Sequence, residues 1–501
     1  MVQDEVVHLD NVIYLNGSAG SGKSTLLNVL MKNIGYKSII CTSATGSASN
    51  VLIGGGTLHS TFKIPTDEDS FIEVFNCLKR KSLNLKMYRH LKDKKLLIID
   101  EISMVENKIL DFIDLLLRKL RNNEGEMFGG ICTILCGDFK QLLPVIQNAD
   151  PALIANSAIA NKDFFRSIDK FYLSKNVRLR SYGNNVEDNK NRDEFLEFLE
   201  QIRKTKVKHV EVPKFLKYVV DDDLEMIRKM FPKDILTSDN FFGENMNESS
   251  VMRINNLKNI LNYFSDSRII ANRIENVARF NEKSMKYYCE EISKQQIFIM
   301  EYDDYLFEKF EAITYEIDSV TKEKSKKRTQ NVSKYRIPRF IQISKYCPLL
   351  VNMNLNKSQK LTNGVIVLVL DFNMSRKELK VGYFDLNGNF KEFYIGVVGF
   401  IDMMVVAPKS LIRYGFPCSL GFASTVHKSQ GQSVTNLGID IRDEVFGHGQ
   451  LYVAFSRARD FKKVLLMKSS EDQIEITNIN YEELEYTDSN ETIIIDENQN
   501  T

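Results

Sequence analysis

Residues 17–25 read GSAGSGKST, and no other stretch restricts the fold of this chain as tightly. Gly17, Gly22, Lys23 and Ser24 stand at the offsets of G-x-x-x-x-G-K-[ST], after an apolar run (Val12, Ile13, Tyr14, Leu15) and before Leu26, Leu27 and Leu30 at helical spacing. The pattern predicts a strand, a loop and a helix. Glycines at 17, 20 and 22 let successive amides turn inward toward the helix N-terminus, which makes a cradle for phosphate. Gly17, Ser18, Ala19, Gly20, Ser21, Gly22, Lys23, Ser24 and Thr25 are therefore expected to wrap a nucleoside triphosphate. In that arrangement Lys23 meets the outer phosphates and the Ser24 hydroxyl meets Mg²⁺. A plain glycine turn would need neither the lysine nor the hydroxyl.

Two further strand ends carry polar groups that suit this chemistry. In KLLIIDEISM (residues 95–104) a buried strand delivers Asp100 and Glu101 at its C-terminal edge, where open α/β sheets bind ligands. Asp100 suits a metal held through water, and Glu101 a base in line with the γ-phosphate. In GGICTILCGDFKQLLPV (residues 129–145) near-continuous apolarity predicts a strand buried on both faces, Cys132 and Cys136 included. It ends at Gly137, Asp138 and Gln141, and a glutamine there can sense a γ-phosphate. Between these motifs, GGGTLHSTFKI (residues 54–64) offers the hydroxyl of Thr57, the imidazole of His59 and the ring of Phe62. Such groups suit phosphate contacts and base stacking on a single strand, although a packed loop would use them as well. Residues 76–95 are strongly basic and read either as a solvated helix face or as a patch tracking a nucleic-acid backbone.

Composition narrows the classes. With 501 residues, roughly three domains are expected. Lys+Arg 67 against Asp+Glu 66 leaves a net charge of +1, so a nucleic-acid footprint has to be local. Seven scattered cysteines form no CxxC pair and no zinc spacing, which predicts reduced thiols. No apolar run approaches the roughly 18 residues of a membrane span, and the first ten residues lack an apolar signal core. The expectation is a soluble, intracellular protein without a membrane partner. Frequent Asn, Lys and Ile with no Trp suits an AT-rich coding genome.

Taken in order, GSAGSGKST, TSATGSASN with GGTLHS, IIDEISM and GDFKQLLPV resemble motifs I, Ia, II and III of the Pif-type (petite integration frequency) DNA helicases and their RecD-like relatives in superfamily one. FYLSKNVRL (residues 171–179) is similar to motif IV, which implies Arg178 on the triphosphate from across a cleft. GFASTVHKSQGQSV (residues 421–434) resembles motif V, matched at Thr425, His427, Lys428, Ser429, Gln430, Gly431 and Gln432. GQLYVAFSRAR (residues 449–459) resembles motif VI, in which Arg457 is the finger that reaches the γ-phosphate. The likeness implies ATP and Mg²⁺ as cofactors, with Lys23, Glu101, Gln141 and Arg457 catalytic and Ser24 and Asp100 on the metal. It places Arg178 and Gly431 with the nucleotide, and Thr57, His59, Phe62, Thr425, His427 and Lys428 on DNA. Two departures stand out. The strand at residues 267–271 is followed by Asn272-Arg273-Ile274 where the family has Pro-Thr-Asn, so no ligand contact is carried over. The family's adenine-reading glutamine some twenty residues before the P-loop has only Gln3 as a counterpart, which stands closer.

The expected fold class is α/β: two RecA-like P-loop motor domains of parallel sheet flanked by helices, with a small SH3-like β insert in the second. The expected boundaries are 1–167 for the first motor, with a basic insertion at about 64–95, then 168–284 with 405–470 for the second. The insert takes 285–404, where residues 386–388 mark a hairpin turn, and 471–501 form an acidic, disordered tail. KEKSKKR (residues 322–328) reads as a basic surface loop, with a nuclear-import signal as the alternative. The resemblance implies an ATP-dependent helicase or translocase moving 5′ to 3′ on single-stranded DNA and acting at single-strand/duplex junctions. The alternative is a nucleotide-dependent single-strand-binding remodeller that does not unwind processively. A nucleus or a viral DNA replication site is the implied location, and a large DNA virus a fitting source. Protein partners, and the choice among replication, recombination and repair, are not indicated.

Overall fold

The computed structural model describes residues 11–49, 52–65, 68–146, 149–179, 181–204, 208–242, 250–308, 323–324, 339–356, 359–385, 387–402, 409–481 and 493–495. Gln3, Leu386, most of the basic cluster at 322–328 and tail residues 482–492 and 496–501 lie outside this set. The chain forms two compact units: residues 1–222, 269–276 and 424–501 in one, residues 223–268 and 277–423 in the other.

The first unit is built on two sheets. Strands β1 (Val12–Gly17), β2 (Ile39–Ser43), β3 (Gly56–Thr57), β4 (Leu96–Asp100), β5 (Cys132–Gly137) and β6 (Asp169–Leu173) belong to one of them. Strands β7 (Lys217–Val220), β8 (Ser267–Ala271), β9 (Ala423–Thr425), β10 (Asn436–Asp440) and β11 (Val464–Lys468) form the other, and β12 (Ile493–Ile495) returns to the first. The strand orders are β12-β6-β1-β5-β4-β2-β3 and β9-β8-β10-β11-β7. Every pairing in the first sheet is parallel, as are β10–β11 and β11–β7 in the second. These are two RecA-like layers. Parallel sheets are covered on both faces, and all five residues of β4 are buried, as its unbroken apolar sequence requires. Helix α1 (Lys23–Ile34) follows β1, and α2 (Leu58–Phe62) follows β3. Helix α3 (Asn107–Arg121) turns Ile109, Phe112, Ile113, Leu116 and Leu120 into the core at helical spacing. Cys132, expected inside, is exposed at the N-terminal end of β5, whereas Cys136 is buried.

Register decides where chemistry can occur. Asn16 lies beside Gly137, Gly17 beside Leu173, and Ser43 beside Asp100. The C-terminal ends of β1, β2, β4, β5 and β6 therefore meet along one edge, the edge on which open α/β sheets hold ligands.

The second unit carries an antiparallel sheet in the order Phe390–Gly396, Glu378–Phe384, Ile366–Asn373, Pro348–Val351, Cys418–Leu420. Its tight hairpin pairs Phe384 with Phe390, and Gly388 in the turn has φ 76°. Residues 223–268 and 277–284, expected with the second motor, cluster with this sheet. The tail reading needs correction over its described part. Glu475–Thr477 pairs antiparallel with His209–Glu211, and Ile493–Ile495 pairs with β6. Ile476 and Asn478 are buried. The acidic count hid the apolar Ile476, which is buried together with Thr477 beside it.

Candidate nucleotide site and nucleic-acid contacts

Helix α1 begins with Gly22 in the left-handed conformation, φ 91°, and no side chain caps it. Its first amides are thus directed at the loop rather than tied to a hydroxyl or carboxylate. Lys23 Nζ donates to the carbonyls of Gly17 at 2.5 Å and Ser18 at 3.1 Å, which fixes the ammonium inside the loop. The Ser21 hydroxyl in the loop, Ser43 at the end of β2 and Ser103 just past β4 are buried without a hydrogen-bond partner among the described residues. Three buried hydroxyls left unmatched along one sheet edge suit a polar ligand.

Asp100 ends β4 and accepts the amide of Glu101 at 2.9 Å. Burial, and then the charge of Glu101, raises the Asp100 carboxyl to about 7, while Lys23 pulls it down. Two adjacent buried carboxylates beside a serine-bearing helix start fit a divalent cation. No cluster of three or more His, Cys, Asp or Glu exists among the described residues, and a P-loop Mg²⁺, which leans on phosphate and water, needs none. Glu101 holds φ 54°, an uncommon conformation for a side-chain-bearing residue, which turns its carboxylate off the strand direction. Gln430 Nε2 donates to Glu101 Oε2 at 3.1 Å, across 329 residues of sequence.

Segments distant in sequence converge on the same loop. After β6, Asn176 Nδ2 donates to Ala19 O at 3.0 Å and Val177 N to Gly20 O at 2.8 Å. Arg178 donates to Ser456 O, and burial followed by the neighbouring Arg457 charge lowers its guanidinium to about 9. Helix α6 (Gln450–Phe455; α4 is Val186–Lys204 and α5 is Val426–Ser429) supplies Tyr452, whose Oη accepts Ala19 N–H at 2.8 Å. Arg457 is buried, its fork donating to Val453 O at 2.9 Å, Gln432 O at 3.2 Å and Ser456 Oγ at 2.8 Å. Burial lowers its pKa, and the charge of Glu101 acts against that. Gln141 Nε2 lies 3.5 Å from Asp138 Oδ2, and Arg203 of α4 grips Asp138 through Nε and Nη2 at 3.1 Å each. Gly449 abuts the backbone of Lys140 and Gln141, and Gly431, at φ 77°, packs close against Ala48. Thr25 is exposed on α1.

Two short helices share one design. Thr57 Oγ1 accepts Ser60 N at 3.3 Å to cap α2, and Thr425 Oγ1 accepts Lys428 N at 3.4 Å to cap α5. Each carries a histidine two positions after its threonine, His59 and His427, half-buried and lowered in pKa by burial. Lys428 is exposed. Phe62 departs from expectation: it is fully buried in the core of the first sheet, so its ring is not available for base stacking. Phe446, 61% exposed, lies beside His427 with ring centroids 6.4 Å apart and near-parallel planes.

Sequence reasoning missed Arg203, Tyr452, Asn176 and Phe446. The first two sit at helical spacing among apolar residues and read as helix surface and core. Only a short apolar-free turn after β6 marks Asn176, and Phe446 carried no periodic signal.

The family model for PIF1-like helicases matches residues 1–212. The ATP-dependent DNA helicase PIF1 of Xenopus laevis is 27% identical over 464 residues, covering 91% of this chain and 58% of that protein. This chain thus spans less than two thirds of that relative. The uncharacterized protein 030L of Invertebrate iridescent virus 6 is 24% identical, covering 93% of this chain and 89% of the viral one. The crystal structure of Bacteroides Pif1 bound to ssDNA shares the fold at TM-score 0.56 and 23% identity, covering 94% of this chain and 89% of that one.

Proposed function

We propose that the chain is an ATP-dependent DNA helicase or translocase, working 5′ to 3′ on single-stranded DNA and opening duplex at the junction. The observation that carries the reading is the bond from Gln430 to Glu101. A residue of the motif V stretch holds the carboxylate best placed to activate water, so nucleotide chemistry and a DNA-facing segment share one hydrogen bond.

In this reading the loop amides and Lys23 bind the phosphate chain, and Ser24 and Asp100 hold Mg²⁺. The bound Mg²⁺ would neutralise charge on the outer phosphates. Glu101 takes the proton of the attacking water. Gln430 holds one of its oxygens, which leaves the other to meet the water. Gln141 monitors the terminal phosphate. Arg178 and Arg457 place permanent charge where negative charge develops, a role worth ~10³ to 10⁵ in rate for an arginine finger. Arg457 reaches outward only by giving up Val453 O on α6 and Gln432 O after α5, which makes its engagement a switch rather than a fixed contact. On DNA, the capped turns at Thr57 and Thr425 present amides to successive phosphates, flanked by His59, His427 and Lys428, and Phe446 offers a stacking face. The two turns lie on different sheets. A strand gripped by both would advance if nucleotide changed their relative affinities, because a ligand shifts an equilibrium only by its differential binding. No helix among the described residues is long and apolar enough to cross a membrane, and the likeness to an iridescent virus protein fits a viral source, with the nucleus or a viral DNA replication site as the proposed place of action.

The test is ATP turnover with and without single-stranded DNA, together with displacement of a strand from a substrate with a 5′ overhang. Stimulation and displacement are expected for the native chain, and near loss of both for Lys23→Ala. Nucleotide-dependent DNA binding without displacement would replace this reading with the non-unwinding remodeller.

A further inference from the structure

Cys136 stands where an alanine or a valine would pack as well. It is next to last in β5 and 0% exposed, beside Leu15 of β1 and in the apolar cluster it shares with Leu27 and Met31 of α1. Its neighbour on β4 is not apolar. The parallel register pairs Ile98 with Ile134 and Ile99 with Leu135, so the next step along the ladder sets Asp100 beside Cys136. The thiol and the carboxyl are joined by a side-chain hydrogen bond. Burial, and then the charge of Asp100, pushes the thiol well above its usual range, so it stays S–H and donates.

Asp100 is thereby held by two protein donors, the Glu101 amide at 2.9 Å and the Cys136 thiol. On its other flank lies Ser43 of β2, whose buried hydroxyl has no hydrogen-bond partner among the described residues. The β5 flank is tied within the protein, and the β2 flank keeps a free polar group for a ligand or its water. A carboxylate that holds a metal has to present an oxygen in a fixed direction, and the donor behind it sets that direction. A lysine or arginine in this place would cancel charge that the metal needs, whereas a thiol is a weak donor and adds none. Resting on the nucleotide-site reading above, we propose that Cys136 is a positioning residue whose S–H group holds the Asp100 carboxylate in the orientation that receives the hydrated Mg²⁺ of the nucleotide. The role belongs to the donor and not to the volume of the side chain, so a hydroxyl can replace it and a methyl cannot.

The experiment titrates Mg²⁺ into the full-length native, Cys136→Ala and Cys136→Ser proteins in the presence of a fluorescent, non-hydrolysable ATP analogue, and reads the Mg²⁺ concentration at half-maximal signal. Cys136→Ala should need ~2- to 10-fold more Mg²⁺, the net value of one hydrogen bond. Cys136→Ser should stay near the native value, and binding of the analogue without Mg²⁺ should be the same in all three. A second arm keeps the test alive if the alanine variant folds poorly: the infrared S–H stretching band of Cys136 in the native chain, assigned by its absence from Cys136→Ser. Mg²⁺ draws electron density from the carboxylate, so the band should move toward the position of a free thiol when Mg²⁺ and analogue are added together. A raised Mg²⁺ requirement rescued by serine, with a band that moves, supports the proposal. A native Mg²⁺ requirement in Cys136→Ala, an equal defect in the serine variant, a defect just as large without Mg²⁺, or a band indifferent to saturating Mg²⁺ and analogue overturns it. Failure of the native chain to bind the analogue is a separate outcome, which overturns the nucleotide site and this inference with it.

Discussion

Replacing Arg203 by Met tests whether motif III is held from a distant helix. The Asp138 side chain is fully buried and that of Arg203 13% exposed, with two parallel N–H···O bonds of 3.1 Å between them. Asp138 Oδ1 also accepts the amide of Lys140 at 3.1 Å, so the carboxylate fixes the turn that leads to Gln141. At about 3 Å and an effective dielectric near 20, the attraction is about 5 kcal/mol before desolvation, which cancels most of it. Deleting one partner is a different matter, because it leaves a charge buried with no counter-ion, at a cost of about 3–5 kcal/mol. Arg203→Met should lower stability by that amount. Asp138→Asn should cost about 1–3 kcal/mol, since the freed guanidinium still reaches Glu200 at 3.2 Å. The double variant should cost less than the sum, with a coupling of about 1–3 kcal/mol. Urea unfolding followed by circular dichroism measures all four proteins, read on the transition of the first unit because a chain with two units need not unfold in one step. Burial raises the Asp138 carboxyl, but Arg203 more than reverses this and holds it below the usual 3.8. Its stabilisation is therefore present above pH 4 and lost as pH falls through the lower folded value. An Arg203→Met variant within 1 kcal/mol of the native chain, or strict additivity, would refute the reasoning.

Two further outcomes follow from the same unit. Gly449→Ala puts a Cβ 2.7 Å from the backbone of Lys140 and Gln141 at φ 67°, and should cut DNA-stimulated ATP turnover by at least about tenfold. Gly183→Ala, at φ 57° with nothing within 4 Å, should leave turnover near the native value, and equal effects in the two would show that backbone strain alone is responsible. His448 donates from Nε2 to Phe139 O at 2.8 Å and accepts Tyr481 N–H at Nδ1, and burial lowers its pKa from 6.5 to about 4. The neutral ring is favoured in the fold, so stability is full above pH 6.5 and falls by up to about 3 kcal/mol as pH drops toward 4. Thermal melts of the native chain and His448→Gln across that window should diverge, and parallel curves would rule out His448 as the group responsible.

The phosphate loop, the carboxylates after β4 and the glutamine after β5 were legible because each lies within a few residues of a strand end. Local sequence sets strand ends, and parallel register then brings them to one edge. Motifs V and VI were legible only by resemblance, since nothing local in GQLYVAFSRAR says that its tyrosine meets Ala19. Phe62 misled for the converse reason. A phenylalanine five residues from a helix cap reads equally as a stacking face or as the buried side of a single turn, and α2 is too short for periodicity to decide. The tail misled because a count of charges carries no information on pairing, and it is the pairing of Glu475–Thr477 with His209–Glu211 that accompanies the burial of Ile476.

The contacts missed from sequence are those that tie distant segments together, and they share a physical character. Arg203 to Asp138, Gln430 to Glu101 and Tyr452 to Ala19 are buried or part-buried polar bonds, the kind that is costly to leave half-made. Apolar packing tolerates small slips between surfaces, whereas a buried donor deprived of its acceptor does not. The sheets supply the scaffold, and a few hydrogen bonds between distant segments fix how those segments meet.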